Sequence, residues 1–260
     1  MNILGERIRQ KHRTMSYPDG PPPELPARWP GEPVFNPGKW RDVQDAAFCP
    51  SGALSVGESP ALDVGRCLFC RACARKGPDG GVAFGREYAM ARFSRSELTL
   101  GGPPPVEADA PAGKERLARI RSLFSKSLKL RQVSAGGCKA CEADSNVLGT
   151  LAWDMGRFGI SFVASPRHAD GLLVTGPVTP NMLLALKKTY DAVPAPRVVI
   201  AVGACAISGG VYGDGTGRGV LDRHLPVDLY IPGCPPHPLV ILEGLLRLVG
   251  RIPDLSVKAP

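Results

Sequence analysis

Gly136-Gly137-Cys138-Lys139-Ala140-Cys141-Glu142 is the stretch on which the reading of this chain turns. It is a C-x-x-C pair followed at once by a carboxylate. Two further cysteines lie far downstream, Cys205 in Val202-Gly203-Ala204-Cys205 and Cys234 in Ile231-Pro232-Gly233-Cys234-Pro235-Pro236. Each of the three sites follows a short apolar, β-branched run and sits in a Gly- or Pro-rich turn. An open parallel α/β sheet places its ligands there, at the carboxyl ends of its strands. Four thiolates brought to one sheet edge form a metal-centre geometry.

The bulk numbers set bounds on the rest. At 260 residues and 43% hydrophobic content, the chain can bury one good core or one core plus a small module. The net charge of +8 fits nucleic acid, an anionic membrane surface or an acidic protein partner, without choosing among them. Met1 to His12 is short and charged and has no secretory apolar region. The run Leu239 to Gly250 is too short to span a bilayer and carries Glu243 and Arg247. The expectation is an intracellular chain whose eight cysteines are metal ligands rather than disulfides.

Residues 1–47 read as a basic and Pro-rich arm, with Arg7, Arg9, Lys11 and Arg13 ahead of Tyr17-Pro18-Asp19-Gly20-Pro21-Pro22-Pro23. It is either a disordered tail or a strap over a partner subunit. Residues 48–100 hold Cys49-Pro50, then Cys67, Cys70 and Cys73. In the bacterial ferredoxin pattern three cysteines hold one cluster and the fourth crosses to the other. Counting back from Cys49, the first three ligand positions fall on Lys39, Asp42 and Asp45. Counting on from Cys73, the fourth falls on Gly77, with Pro78 still following. One cluster has lost all its ligands, and the other keeps Cys49, Cys67, Cys70 and Cys73. This segment resembles a two-cluster ferredoxin domain reduced to one cluster. A zinc ribbon from the same four cysteines is the alternative, although zinc prefers two C-x-x-C knuckles.

Residues 101–117 read as a linker, and Lys114 to Lys129 as a basic, partly amphipathic helix with Leu117, Ile120, Leu123 and Phe124 at helical spacing. From Leu128 strands alternate with helices. Strands are predicted at 128–133, 160–163, 171–175, 197–202 and 227–231, and helices at 146–156, 180–191 and 238–249. That alternation implies a doubly wound, mostly parallel sheet over residues 118–260. There is no G-x-G-x-x-G after a strand and no Walker loop, and Gly213 to Gly219 lacks the Lys-Ser/Thr ending of a phosphate cradle.

The second half carries a specific resemblance. Cys138-Lys139-Ala140-Cys141-Glu142, Arg157-Phe158-Gly159, Ser165-Pro166-Arg167-His168-Ala169-Asp170, Gly176-Pro177-Val178-Thr179, Gly203-Ala204-Cys205 and Pro226 to Pro236 resemble the complex I 20-kDa subunit family. That family includes the small subunits of group 4 membrane-bound nickel–iron hydrogenases and of formate hydrogenlyase. The resemblance spans roughly residues 118–250. Complex I proper has adjacent cysteines in the first loop, and the hydrogenase branch has the C-x-x-C-E seen here. Lys139-Ala140 departs from the Asn-Gly usual in that branch.

The resemblance implies a flavodoxin-like fold, preceded here by the small α+β ferredoxin-like domain. It implies one 4Fe-4S cluster on Cys138, Cys141, Cys205 and Cys234, and with the N-terminal set two 4Fe-4S clusters in all. The expected function is electron transfer in a multisubunit membrane-associated hydrogenase-like oxidoreductase, with a complex I-like NADH/quinone enzyme as the alternative. A zinc-stabilised binding protein is the alternative of another class. The active site would lie on a large partner subunit, with other iron–sulfur and membrane subunits alongside. The chain would sit on the cytoplasmic face of the membrane through those partners, with no span of its own and no nucleic acid bound. Glu142 is a candidate for a proton path, or simply a helix N-terminal carboxylate. Arg157 and Arg167 are candidates for tuning the centre or lining a quinone-like cavity, with surface salt bridges as the plain alternative. His168 reads as a structural histidine, and Tyr212 and Asp214 as candidate partner contacts.

Overall fold

The computed structural model describes residues 3–11, 13–43, 45–102, 110–213 and 220–255. Its main sheet has five strands, β6 (Leu128–Ser134), β7 (Ile160–Phe162), β8 (Gly171–Thr175), β9 (Val198–Val202) and β10 (Leu229–Ile231). Their spatial order is β10-β9-β8-β6-β7, and every pair is parallel. This is the flavodoxin-like order, with its switch point between β6 and β8. The central strands β8 and β9 are buried at every residue, as the continuous apolar runs require when both faces are covered.

Helices α3 (Ala110–Phe124), α4 (Ala140–Val147) and α7 (Pro238–Leu248) lie over one face; α5 (Pro180–Ala192) and α6 (Ala204–Ser208) cover the other. All eleven residues of α7 are buried. A helix closed in on every side belongs to the core, and here it includes an ion pair. Glu243 is 3% exposed and Arg247 1%. Arg247 Nε donates to Glu243 Oε1 at 2.9 Å, and its Nη1 donates to the Ala91 carbonyl at 2.9 Å.

A smaller antiparallel unit precedes the sheet. β1 (Pro33–Phe35) pairs with β4 (Val82–Phe84), and β3 (Ala61–Asp63) pairs with both β2 (Leu54–Ser55) and β5 (Thr99–Gly101). The short α2 (Ala72–Lys76) completes it, around a core centred on Trp40. Its first strand comes from the segment read as arm. The unit docks on the main sheet by backbone: Arg92 N donates to Tyr230 O at 2.9 Å and Tyr230 N to Arg92 O at 2.8 Å. This bridge continues the sheet past β10.

Along residues 14–32 the arm is not a loose tail; it lies across its own chain. Thr14 Oγ1 donates to Leu151 O at 3.0 Å, and Met15 N to Ala152 O at 3.0 Å. Tyr17 meets Tyr88 edge-on at 5.9 Å. Trp29 and Trp153 flank the His237 ring at 6.1 and 5.8 Å.

Two further expectations are corrected. The helix predicted at 146–156 runs instead from Ala140 to Val147. Its apolar run continues, but the arm takes the carbonyls of Leu151 and Ala152, and the chain turns at Gly149. The basic helix spans 110–124, because Leu128 onward is drawn into the sheet and Leu128 N donates to Gly159 O at 2.9 Å. It therefore takes up part of the predicted linker, of which 103–109 lie outside the described residues.

Candidate metal centres

The loops after β6, β9 and β10 carry Cys138, Cys141, Cys205 and Cys234 to one edge of the sheet. Lys139, in the left-handed region at φ 70°, turns the first loop into α4, so Cys141 rides on its first helical turn. Gly203 N donates to Ile231 O and Ala204 N to Gly233 O, both at 2.8 Å, which stitches the second loop to the third. Gly203 sits at φ 89°, ψ 156°, a conformation essentially reserved for glycine. A β-carbon there would lie 2.5 Å from Cys141 Sγ, and one on Gly210 would lie 2.8 Å from Cys205 Sγ. Backbone and sulfur thus meet where only hydrogen fits.

Electrostatics group the same four residues. Burial, the largest cause, pushes the Cys141 thiol far above its ordinary range; the nearby Cys205, Glu142, Cys234 and Cys138 push it further. Cys234 is raised by burial and by Cys138.

The N-terminal set behaves alike. Burial pushes Cys67 up to about 12, with Cys73, Cys49 and Cys70 adding to the rise, while the Phe69 N–H, 3.3 Å from Cys67 Sγ, opposes it. Cys73, on α2, is raised by burial, then by Cys49 and Cys70. Crowded thiolates repel one another, so these cysteines are poor solitary acids and good ligands for a cationic centre, which stabilises the thiolates. All eight are free. Among the described residues, no group of three or more His, Cys, Asp and Glu is disposed to hold a metal ion.

The remaining candidates separate. Glu142 lies in the first turn of α4 beside Cys141, and its Oε1 is buried with no hydrogen-bond partner among the described residues. Arg157 is committed to the arm: it donates to Met15 O at 2.7 Å and to Tyr17 O, and stacks on Phe158. It lines no cavity. Arg167 and His168 are exposed on a 3-10 turn. Tyr212 is half-buried in the turn after α6, and Asp214 lies outside the described residues. Sequence reading passed over His237, whose Nδ1 accepts from Leu239 N at 3.1 Å at the start of α7. The His-Pro step opening an apolar run was the available signal.

Residues 138–248 match the family described as NADH ubiquinone oxidoreductase, 20 Kd subunit. The second cysteine set lies inside that span and the first outside it. Over 140 residues the chain is 41% identical to the probable membrane-bound hydrogenase subunit mbhJ of Pyrococcus furiosus, covering 54% of this chain and 84% of that one. Over 116 residues it is 46% identical to the B subunit of NADH-quinone oxidoreductase of Citrifermentans bemidjiense, covering 45% of this chain and 68% of that one. A chain of the membrane-bound sulfane sulfur reductase, titled an archaeal respiratory membrane complex, overlaps 50% of this chain and 73% of its own length, with 37% identity and a TM-score of 0.44.

Proposed function

The chain belongs to the NADH ubiquinone oxidoreductase 20 Kd subunit family, and from that premise we propose that it is the electron-transfer subunit of a multisubunit, membrane-associated, nickel–iron hydrogenase-like oxidoreductase. The observation that supports this reading is that the loops after β6, β9 and β10 carry Cys138, Cys141, Cys205 and Cys234 at the carboxyl edge of the sheet, with Gly203 backing directly onto the Cys141 sulfur. When bound, a 4Fe-4S cluster supplies reversible one-electron storage there. The chain's own residues do the rest. The four thiolates hold the cluster, and the surrounding glycines let backbone approach it.

Cys49, Cys67, Cys70 and Cys73 hold the second such cluster, as the site where electrons enter or leave. Glu142 holds a proton on the side facing the large subunit. That subunit carries the active site, and other iron–sulfur and membrane subunits complete the assembly. No helix among the described residues is long and apolar enough to cross a membrane. Attachment to the inner face of the cell membrane therefore runs through the partners.

A complex I-like quinone reductase is the second reading, kept by the likeness to the B subunit of NADH-quinone oxidoreductase. The C-x-x-C spacing of Cys138 and Cys141 favours the hydrogenase branch. The cysteine spacing of the N-terminal set favours a cluster over the zinc alternative. A zinc ribbon takes two C-x-x-C knuckles, and Cys49 stands alone before Pro50.

The test is iron and sulfide analysis with low-temperature electron paramagnetic resonance on the anaerobic complex, in wild type, Cys70→Ser and Cys234→Ser. About eight irons per chain are expected, with each substitution removing a different signal. A colourless protein with stoichiometric zinc would sink the proposal.

A further inference from the structure

We infer that Phe69 is the side chain that joins the two thiolate sets, and that the dock between the small unit and the main sheet exists to hold it there. The inference deepens the electron-transfer reading and rests on it. Phe69 lies between Cys67 and Cys70, and its N–H contacts the Cys67 sulfur. It is half-buried and packs against all three hydrophobic cores of the chain, the one around Trp40 and the two that flank the main sheet. Among the described hydrophobic residues, no other packs against all three. Its ring meets Phe84 edge-on at 6.2 Å on the small-unit side.

The opposing wall belongs to the other thiolate set. Val64 and Leu98 of the small unit share a core with Ala206 and Ile207. These two residues follow Cys205 on α6. The joint is tight: a β-carbon on Gly65 would fall 2.8 Å from Ile207 Cγ2. Cys141 is itself packed against the core that Phe69 reaches on the opposite face. From Cys67 to Phe69 is two residues, and from Ile207 back to Cys205 is two more.

The dock keeps that packing rigid. The paired backbone bonds of Arg92 and Tyr230, the Arg247 bond to Ala91 O and the Asp63–Arg95 ion pair next to Gly65 all act across or beside the joint. An electron from a one-electron donor such as a reduced iron–sulfur protein would enter at the N-terminal set. It would leave from the sheet-edge set toward the active site of the large subunit, one electron in and one out. Phe69 lies in the path it must cross.

The test uses the anaerobic complex with its full complement of iron. In fully reduced wild type, the two paramagnetic centres are expected to split each other's resonance lines, and the splitting should vanish in Cys70→Ser and in Cys234→Ser. Redistribution of an electron between the two signals is then followed by freeze-quench after flash reduction. Phe69→Ala leaves a void that a close-packed interior does not refill, and should slow redistribution about tenfold with both signals intact. Phe69→Leu should recover most of the rate. Ile207→Ala, on the sheet-edge side of the joint, should slow it in the same direction. It serves as the reading if Phe69→Ala loses the N-terminal signal. Two intact signals without splitting, or a Phe69→Ala rate within twofold of wild type, overturns the inference and leaves the electron-transfer proposal standing. Absence of a second signal in wild type removes both.

Discussion

Replacing Gly203 with alanine tests the sheet-edge site at its tightest point. The substitution acts twice. At φ 89°, ψ 156° an alanine is strained, at a cost of about 1–3 kcal/mol. The added methyl also arrives 2.5 Å from Cys141 Sγ. Carbon contacts settle at about 3.5–4.0 Å, and sulfur is larger than carbon, so the sulfur must retreat by about 1 Å or more. Metal–ligand distances tolerate only about ±0.2 Å. The strain alone should lower the melting temperature by about 2–12 °C, at about 2–4 °C per kcal/mol for a chain of this size. The displacement should empty the site, taking iron from about eight to about four per chain, the loss of one 4Fe-4S unit. Anaerobic thermal unfolding and iron analysis read the two effects separately. Gly149→Ala is the control, since a β-carbon there meets only Asn146 O at 3.5 Å, and it should stay within about 0.5 kcal/mol of wild type. A Gly203→Ala protein with full iron, an unchanged sheet-edge signal and wild-type melting would refute the reasoning.

Two other perturbations have defined outcomes. Glu243 and Arg247 are both buried, so breaking the pair with Arg247→Met should cost about 3–5 kcal/mol. Glu243→Leu with Arg247→Met should recover much of that, and denaturant unfolding of the four proteins closes the cycle; a double variant no better than the single would show that the bond to Ala91 O dominates. His237 is pushed below its usual value by burial. A base depressed in the folded state contributes stability above its unfolded pKa of about 6.5 and loses it as pH falls through the folded value. Acidification below about pH 6 should therefore loosen the arm. Fluorescence of Trp29 and Trp153, which flank the ring, reports this. His237→Asn, which keeps a side-chain acceptor for Leu239 N, should lose the pH dependence.

Much of the sheet was legible because its information is local. Val198–Val202 and Gly171–Thr175 are apolar at nearly every position, and buried central strands must be. The cysteine loops were legible for the same reason, each being a turn placed directly after such a run. The arm was not. It carries no periodicity, and its docking depends on single side chains, Tyr17, Trp29 and Arg157, whose partners are more than 70 residues away. Arg157 illustrates the difficulty. Its neighbours Phe158 and Gly159 belong to one of the motifs that carry the family resemblance, yet its guanidinium is spent on arm carbonyls. The role of Phe69 was hidden as well, because it arises only once three cores converge on one ring.

The Arg92–Tyr230 dock has a consequence for assembly. Both halves are carried on one chain, so the contact forms as an intramolecular event, at an effective concentration in the millimolar range. Separate subunits meeting at nanomolar levels would need about 12 kcal/mol of association free energy, whereas a tethered pair needs only about 4. A modest interface of a few backbone bonds, one buried arginine and a ring or two therefore suffices. The ratio of the two units is held at one to one at any dilution, and any larger assembly built on this chain has one fewer association step to complete.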